Sequence, residues 1–483
     1  MNAKGYFAHV IPLQPGPNKV VLVETDAPSE HVELTVNRER AVVPISAGTF
    51  KLALETCQPH EEMGVTAGDI VKLSVRATPG SDVRVQLGKR VVELRPAIAV
   101  KEAVNASRHK RRKKSGKPPL PANVNVGLDA AYGKVFQRWP ESGPDLYLGF
   151  YKVAADDNWR QLTPRFVLNH GGRSTSADSP ARLSTIQQPL LAQTRHDYTT
   201  VRVGPGLGRV TPLPEGVRLM VDGWQGEQMR CLYSATKHVW IPREDLVFEA
   251  PDGESGPPPQ SVVRTINILS DQYGADIVIP LNQRLPFQIE QHLKPGSLTM
   301  LVYGATADTD WVTPIVPSAQ EHELIDHVTW KQVADGVYEV TALMKQARQW
   351  GFYGDYQGSV LHLHVKRPIE LKPGGLPLAG LKICVDPGHG GNESGAIGCG
   401  GTKESQINLG IGLKLQKLLQ QAGATVIMTR TADVEVSLED RVKMATENNV
   451  DILLSIHNNA LPDGRDPWIE RGTSSYWYHP QAI

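Results

Sequence analysis

Apolar residues recur at two different spacings along the chain, and the change between them falls near residue 380. Before that point, short apolar runs alternate with polar positions between turn clusters such as Pro15-Gly16-Pro17-Asn18 and Pro79-Gly80-Ser81-Asp82. Alternation of this kind between turn signals is typical of half-buried β-strands. The pattern therefore predicts small all-β modules over most of the chain.

These strand-like runs divide into three all-β modules. The first covers residues 1–98, and a basic, proline-rich linker follows over residues 99–125. A second β region covers residues 126–250, and a third module covers residues 258–367. A Pro/Gly-rich break from Pro368 to Gly380 then separates the third module from the last unit.

The linker has an unusual charge density. Residues 108–117 hold seven Lys/Arg side chains in ten positions, and Pro118-Pro119-Leu120-Pro121 follows. Like charges this close repel one another and cannot bury a core, which predicts an extended, solvated tether. The alternative is a docking site for an anionic polymer or surface.

After residue 380 the pattern changes to strand, helix, strand, helix, strand. Apolar runs predict strands at residues 381–385, 425–429 and 451–457. A helix is predicted from Glu404 to Ala422, with apolar positions three and four residues apart at Ile407, Ile411, Leu415, Leu418 and Leu419. Alternating helices and apolar strands predict an α/β sheet whose ligands gather at the carboxyl ends of its strands.

Side chains that can bind a metal fall at those strand ends. His389 lies in Asp386-Pro-Gly-His-Gly-Gly391 after the first strand, Glu404 begins the helix, and His457 ends the third strand. Two imidazoles and one carboxylate are the protein donors of a catalytic zinc site that keeps one position open. We therefore predict that His389, Glu404 and His457 bind Zn²⁺.

Further motifs accompany this donor set: Lys403-Glu404, Thr429-Arg430, Leu438-Glu-Asp-Arg441, Ser455-Ile-His-x-Asn-Ala460 and Gly472-Thr-Ser. Together they resemble the N-acetylmuramoyl-L-alanine amidases of the Amidase_3 family. The resemblance implies zinc-dependent hydrolysis of the amide between N-acetylmuramic acid and L-alanine of peptidoglycan stem peptides. It places His389, Glu404 and His457 at the catalytic zinc ligands.

The same resemblance assigns two further residues. Asn459 is expected to orient a ligand or to contact substrate. Arg441 matches the helix arginine of the family, for which a structural salt bridge is favoured over a substrate contact. The glutamate that acts as general acid/base near the end of family members has no counterpart before Ile483. The α/β zinc-amidase domain at 380–483 is therefore expected to be incomplete, the chain to be a fragment, and its activity to be impaired.

Two β segments also resemble known modules. Residues 196–248, with Val201-Arg-Val-Gly-Pro-Gly206 and Val239-Trp-Ile241, resemble bacterial SH3-like domains, which often bind cell-wall peptide. Trp224 and Trp240 are candidates to line a groove, although a position in the core of that module is favoured for Trp240. Residues 258–367 are similar to the AMIN-type β-sandwich modules that precede cell-wall amidases. His362 and His364 there share one strand face, and two histidines without a third nearby ligand favour a structural role.

Composition limits the remaining alternatives. Lys+Arg and Asp+Glu both number 51, so no net charge attracts the chain to nucleic acid. No apolar run reaches the roughly 18 residues of a membrane-spanning helix, and no signal peptide is visible. The resemblance implies peptidoglycan as partner and a cell-envelope or periplasmic location. The alternative to the enzyme is a non-catalytic cell-wall-binding protein with a degenerate zinc amidase domain.

Overall fold

The computed structural model describes residues 11–14, 16–23, 31–38, 44–98, 143–249, 256–270, 274–294, 296–314, 324–345, 350–368, 375–398, 401–461 and 472–475. Residues 99–142 lie outside this set. The predicted linker, and the anionic ligand considered for residues 108–117, therefore stay predictions. No helix within the described ranges is long and apolar enough to cross a membrane.

The described residues of the N-terminal half form mainly β-strands, as the alternation predicts. A separate antiparallel ribbon joins β1 (Gly16–Val23) to β2 (His31–Arg38). The next strands in chain order are β3 (Leu52–Gln58), β4 (Met63–Val65), β5 (Ile70–Ala77), β6 (Asp82–Leu87), β7 (Arg90–Pro96), β8 (Leu146–Lys152), β9 (Arg165–His170) and β10 (Arg173–Asp178). Except for β4, they form one antiparallel seven-stranded sheet in the order β10-β9-β6-β7-β8-β5-β3.

This sheet does not end at the module boundary predicted at residue 98. Strands β8, β9 and β10 lie beyond the predicted linker, yet β8 pairs with both β5 and β7, and β9 pairs with β6. The first sheet therefore combines strands from both sides of residues 99–125. Alternation of polar and apolar residues identifies strands but does not reveal partners that are distant in sequence.

A second sheet contains the segment that resembles SH3-like domains. Its strands are β11 (Leu183–Thr185), β12 (Leu190–Thr194), β13 (Arg218–Gln225), β14 (Gln228–Ser234), β15 (Lys237–Pro242) and β16 (Leu246–Phe248), and β4 joins them by pairing with β11 and β13. Trp224 and Trp240 are both half-buried and line a cavity of about 360 Å³. The structure therefore does not place Trp240 in a closed core.

Two further sheets belong to the predicted β-sandwich region. Their strands are β17 (Ser261–Ser270), β18 (Gly274–Pro280), β19 (Phe287–Leu293), β20 (Gly296–Tyr303), β21 (Ala305–Pro314), β22 (Ile325–Ala334), β23 (Val337–Met344), β24 (Phe352–Gln357) and β25 (Val360–Lys366). The five-stranded sheet has the order β21-β17-β18-β25-β24, and the four-stranded sheet has the order β19-β20-β23-β22. Phe287, Met300, Tyr338 and Leu361 are fully buried in one core.

That core continues without interruption into the second sheet, because Val221, Cys231 and Ile241 belong to the same cluster of buried side chains. The ring of Tyr233 lies 4.6 Å from that of Tyr303, centroid to centroid. The second and third predicted modules are therefore packed against each other.

The C-terminal unit is the α/β sheet that the change of pattern predicts. It consists of β26 (Lys382–Pro387), α1 (Glu404–Gln421), β27 (Thr425–Met428), α2 (Leu438–Glu447) and β28 (Ile452–Ile456). Both β27 and β28 pair with β26 in parallel. Gly423 follows α1 with a φ of 98°, and the Ser437 hydroxyl accepts a hydrogen bond from the Asp440 N–H at the start of α2.

The buried face of α1 differs from the apolar stripe that its sequence predicts. Ile407 and Ile411 are 41 % exposed and Leu418 is 62 % exposed, whereas the buried residues are Glu404, Ser405, Asn408 and Gly412. The first turns of the helix pack against the polar loop after β26, and Gly412 allows close approach to Pro387. Only Leu415 and Leu419 of the predicted stripe pack on the apolar core of this unit.

A buried carboxylate at the end of β26 connects all three strands of the unit to α2. Asp386 is 4 % exposed and accepts hydrogen bonds from Thr429 after β27, Ser455 on β28 and Arg441 on α2. Burial alone would raise the pKa of Asp386, but these three donors outweigh it and hold the pKa below its ordinary value. Asp386 is therefore ionised at neutral pH and fixes where β26 ends.

We expect Arg441→Ala to lower the free energy of unfolding of the α/β unit by about 3–5 kcal/mol, because it leaves a buried carboxylate without its cation. Arg84→Ala is the matched control, since Arg84 pairs with Asp82 on the surface and its loss should cost at most about 1 kcal/mol. Amide hydrogen exchange of β26 and β6 reports each local opening. Equal protection of β26 in the wild type and Arg441→Ala would contradict this role.

Candidate metal centre

The loop after β26 carries His389 in a backbone conformation that its surroundings enforce. His389 has a φ of 60°, a backbone conformation that residues other than glycine rarely adopt. Arg441 donates hydrogen bonds to the carbonyls of Pro387 and His389, and Arg430 donates to those of Pro387 and Gly388. The two buried guanidinium groups therefore hold this loop in one shape.

Glu404 is the first residue of α1 and provides a fixed, buried carboxylate. Its oxygens accept hydrogen bonds from the N–H groups of Ala396 at 2.9 Å and Asn458 at 2.8 Å, and from the amide of Asn408 at 3.4 Å. Burial would raise the pKa of Glu404, yet these donors and the nearby His389 lower it below its ordinary value. Because its pKa is lowered, this carboxylate is an anion at neutral pH although its side chain is only 4 % exposed.

His457 follows β28 and closes the site. Its Nδ1 lies 3.1 Å from Glu404 Oε1, and Nε2 of His389 lies 3.5 Å from Glu404 Oε2. The two imidazole rings are nearly perpendicular, with centroids 4.8 Å apart. One ligand atom from each of the three residues lies within 4.8 Å of the other two. The topology thus brings all three predicted ligands together.

Nδ1 of His389 is buried and, within the part of the chain that the structure describes, has no hydrogen-bond partner. The carboxylate of Glu393 lies 3.6 Å away, beyond a good hydrogen bond. Because Nε2 is the nitrogen of this ring that lies nearest Glu404, an ion held between His389 and Glu404 would bind Nε2 and leave Nδ1 on the side of Glu393.

The two residues predicted to contact substrate have different surroundings. Arg441 is 5 % exposed and its guanidinium contacts Asp386 and backbone carbonyls, which corresponds to the structural salt bridge favoured by the sequence. Asn459 is exposed two residues after His457, at the open side of the site. Its contact with substrate stays a prediction.

Sequence reasoning missed the residues that position Glu404. Asn458 donates to Glu404 from its backbone and to the Asn408 side chain at 2.7 Å. Asn408 also donates a hydrogen bond to the Gly388 carbonyl, and so it joins α1 to the loop that carries His389. The sequence contains a signal for the role of Asn408, because this residue lies four positions after Glu404 and therefore on the same face of the helix.

Comparison with known proteins finds similarity in the C-terminal unit. Residues 383–482 match the family Amidase_3, described as N-acetylmuramoyl-L-alanine amidase. The chain is 36% identical over 125 residues to the germination-specific N-acetylmuramoyl-L-alanine amidase of Bacillus subtilis (strain 168), covering 23% of this chain and 51% of that protein. It is 43% identical over 105 residues to the probable cell wall amidase LytH of Staphylococcus aureus, covering 21% and 33%.

A solved structure, N-acetylmuramoyl-L-alanine amidase AmiC2 of Nostoc punctiforme, is 42% identical and covers 18% of this chain and 48% of that chain, with a TM-score of 0.17. The chain thus spans about half the length of the Bacillus relative and a third of the Staphylococcus relative. As the motifs predict, the Amidase_3 family model matches this chain over residues 383–482.

Proposed function

We propose that this protein is a zinc-dependent N-acetylmuramoyl-L-alanine amidase whose C-terminal unit holds the metal. The observation that carries the proposal is the convergence of His389, Glu404 and His457 from three separate parts of the chain, with one ligand atom of each within 4.8 Å of the other two. Two imidazoles and a carboxylate match the donor set of catalytic zinc, which leaves room for substrate.

Two glycines make space for this donor set. A Cβ at Gly388 would lie 2.3 Å from the ring of His457, and a Cβ at Gly395 would lie 2.5 Å from His389 and 2.7 Å from Glu404. Such distances are too short for any side chain. The packing of the loop therefore supports the interpretation that these three residues are held for one ligand.

The protein groups divide the work of binding and orientation. Zinc bound there would polarise the amide carbonyl and activate a water molecule. Glu404 keeps its charge and orientation through Ala396, Asn408 and Asn458. The His457 side chain is 39 % exposed, compared with 21 % for His389 and 4 % for Glu404, so substrate approaches from the side of His457 and Asn459.

The substrate class follows from the named relatives. One is described as an N-acetylmuramoyl-L-alanine amidase and another as a probable cell wall amidase. We therefore infer that peptidoglycan is the substrate and the cell envelope, on its periplasmic side, the location. The SH3-like and AMIN-like segments would then bring the catalytic unit to the wall.

Zinc content is the first check. His389→Ala should lower the zinc bound at neutral pH by about one equivalent, because two remaining ligands hold a hydrated dication poorly. His292→Ala, which removes an exposed imidazole on β19, should leave the zinc content unchanged. Metal analysis after equilibrium dialysis measures both variants. Undiminished zinc in His389→Ala would contradict the assignment.

The glycine packing gives a second check. Gly388→Ala should weaken zinc binding by at least about tenfold, since its methyl group displaces the ring of His457. Gly388 does not adopt a positive φ, so the backbone itself accepts alanine. Gly410→Ala is the control, because a Cβ on that helical glycine meets none of the described atoms within 4 Å. Equal zinc affinity in both variants would argue against the proposed geometry.

Activity decides between the enzyme and the non-catalytic alternative. Incubation with purified peptidoglycan should release new L-alanine amino termini, and His457→Ala should reduce this release to the level without protein. Removal of zinc by a chelator should abolish release, and added zinc should restore it. If the wild type sediments with peptidoglycan and retains zinc yet releases no more than His457→Ala, the protein is a cell-wall binder.

A further inference from the structure

A second group of potential metal ligands lies on the five-stranded sheet, outside the amidase domain. His362 and His364 occupy alternate positions of β25 and share one face of the sheet. In the strand register, Asp276 on β18 lies opposite His364, and Asp355 on β24 lies opposite His362. Three neighbouring strands thus place two imidazoles and two carboxylates on one face.

The three residues Asp276, His362 and His364 lie close enough together to share one ion. Oδ1 of Asp276 lies 2.6 Å from Nδ1 of His364, and its Oδ2 lies 3.7 Å from Nδ1 of His362. Ligand atoms of these three residues lie within 4.8 Å of one another. The other nitrogen of His364, Nε2, lies 2.9 Å from Asp355, and Tyr353 stacks on the ring with centroids 4.3 Å apart.

His362 supplies an independent indication of a ligand. Its side chain is buried, with a residue exposure of 6 %, and its Nδ1 has no hydrogen-bond partner in the described ranges. The Asp276 oxygen at 3.7 Å is too distant for a hydrogen bond. Leaving such an atom unpaired is destabilising, and a cation placed between His362, His364 and Asp276 would satisfy it.

We propose that Asp276, His362 and His364 bind a divalent transition-metal ion, with zinc as the best match, and that Asp355 orients His364. The mixed nitrogen and oxygen donors favour zinc over Mg²⁺ or Ca²⁺, which prefer oxygen alone. A carboxylate on the distal nitrogen of a ligating histidine is the common arrangement around bound zinc. Asp276 and Asp355 have side chains 30 % and 43 % exposed, so an ion can reach the site.

The ion would join β18 to β25 directly, and β24 through Asp355. Strand β25 ends at Lys366, whose ammonium group donates a hydrogen bond to the Val450 carbonyl in the α/β unit at 2.7 Å. The site therefore stabilises the sheet that packs beside the amidase domain. It supplies no group to the proposed reaction.

An ion pair without metal is the competing interpretation. Burial would lower the pKa of His364, but hydrogen bonds to Asp276 and Asp355 outweigh it and raise the pKa to about 9. A protonated His364 between two carboxylates is therefore stable by itself. It leaves Nδ1 of His362 without a partner among the described residues, which is the atom that the metal accounts for.

The test uses the whole chain with the amidase site removed by His389→Ala and His457→Ala. Titration with ZnCl₂ at neutral pH, followed by calorimetry, should show about one equivalent of bound zinc. Adding Asp276→Asn or His362→Ala to this variant should abolish that equivalent, whereas adding His292→Ala should preserve it. Cobalt(II) in place of zinc should give the visible absorption of a nitrogen- and oxygen-ligated ion in this variant with or without His292→Ala, and should give none after Asp276→Asn or His362→Ala is added.

Two results would overturn the proposal. One is no zinc bound by the variant that lacks His389 and His457, with hydrogen exchange showing the sandwich still folded. The other is zinc binding that His362→Ala and His292→Ala alter equally. Because Asp276→Asn keeps the size of the side chain, it separates loss of a ligand from loss of packing. Peptidoglycan hydrolysis by Asp276→Asn in the otherwise intact chain should match the wild type, so failure here leaves the amidase proposal intact.

Discussion

The charge of Asp386 is the constraint on which the C-terminal unit depends. A carboxylate that is 4 % exposed is tolerable only when cations and hydroxyls surround it, and Arg441, Thr429 and Ser455 come from three different elements to do so. This requirement fixes the ends of the parallel strands relative to α2. The loop that follows carries His389, so the interactions of Asp386 also help to place a predicted metal ligand.

The sequence predicted this unit well because its signals are local. Each apolar strand run is recognised within a few residues, and the parallel order brings the carboxyl ends of the strands together. It failed on the buried face of α1, where Ile407 and Ile411 are exposed. Apolar spacing assumes an apolar neighbour, whereas the first turns of this helix face a loop of backbone carbonyls and charged groups.

In the β region the strands are predictable from the sequence, but their pairing is not. Strands were predicted from alternation and turn residues, but the pairing of β6 with β9 and of β5 with β8 joins segments separated by the basic linker. Nothing in the local pattern specifies which edge a strand will meet, because partners are selected by complementary faces across long distances in sequence. The predicted module boundaries were placed where the composition changes, at the linker. They do not coincide with the first sheet, which contains strands from both sides of the linker.

The two histidine clusters show the same difference between the α/β unit and the β region. His389, Glu404 and His457 lie at strand and helix ends, where the α/β topology brings ends together, so the sequence alone predicts their convergence. His362 and His364 were correctly placed on one strand face, yet their third neighbour, Asp276, lies on β18 and depends on antiparallel register. A shift of one residue in that register would move Asp276 to the opposite face of the sheet. The sequence favoured a structural role for these histidines because no third ligand lies near them in the chain. The sheet brings Asp276 next to them.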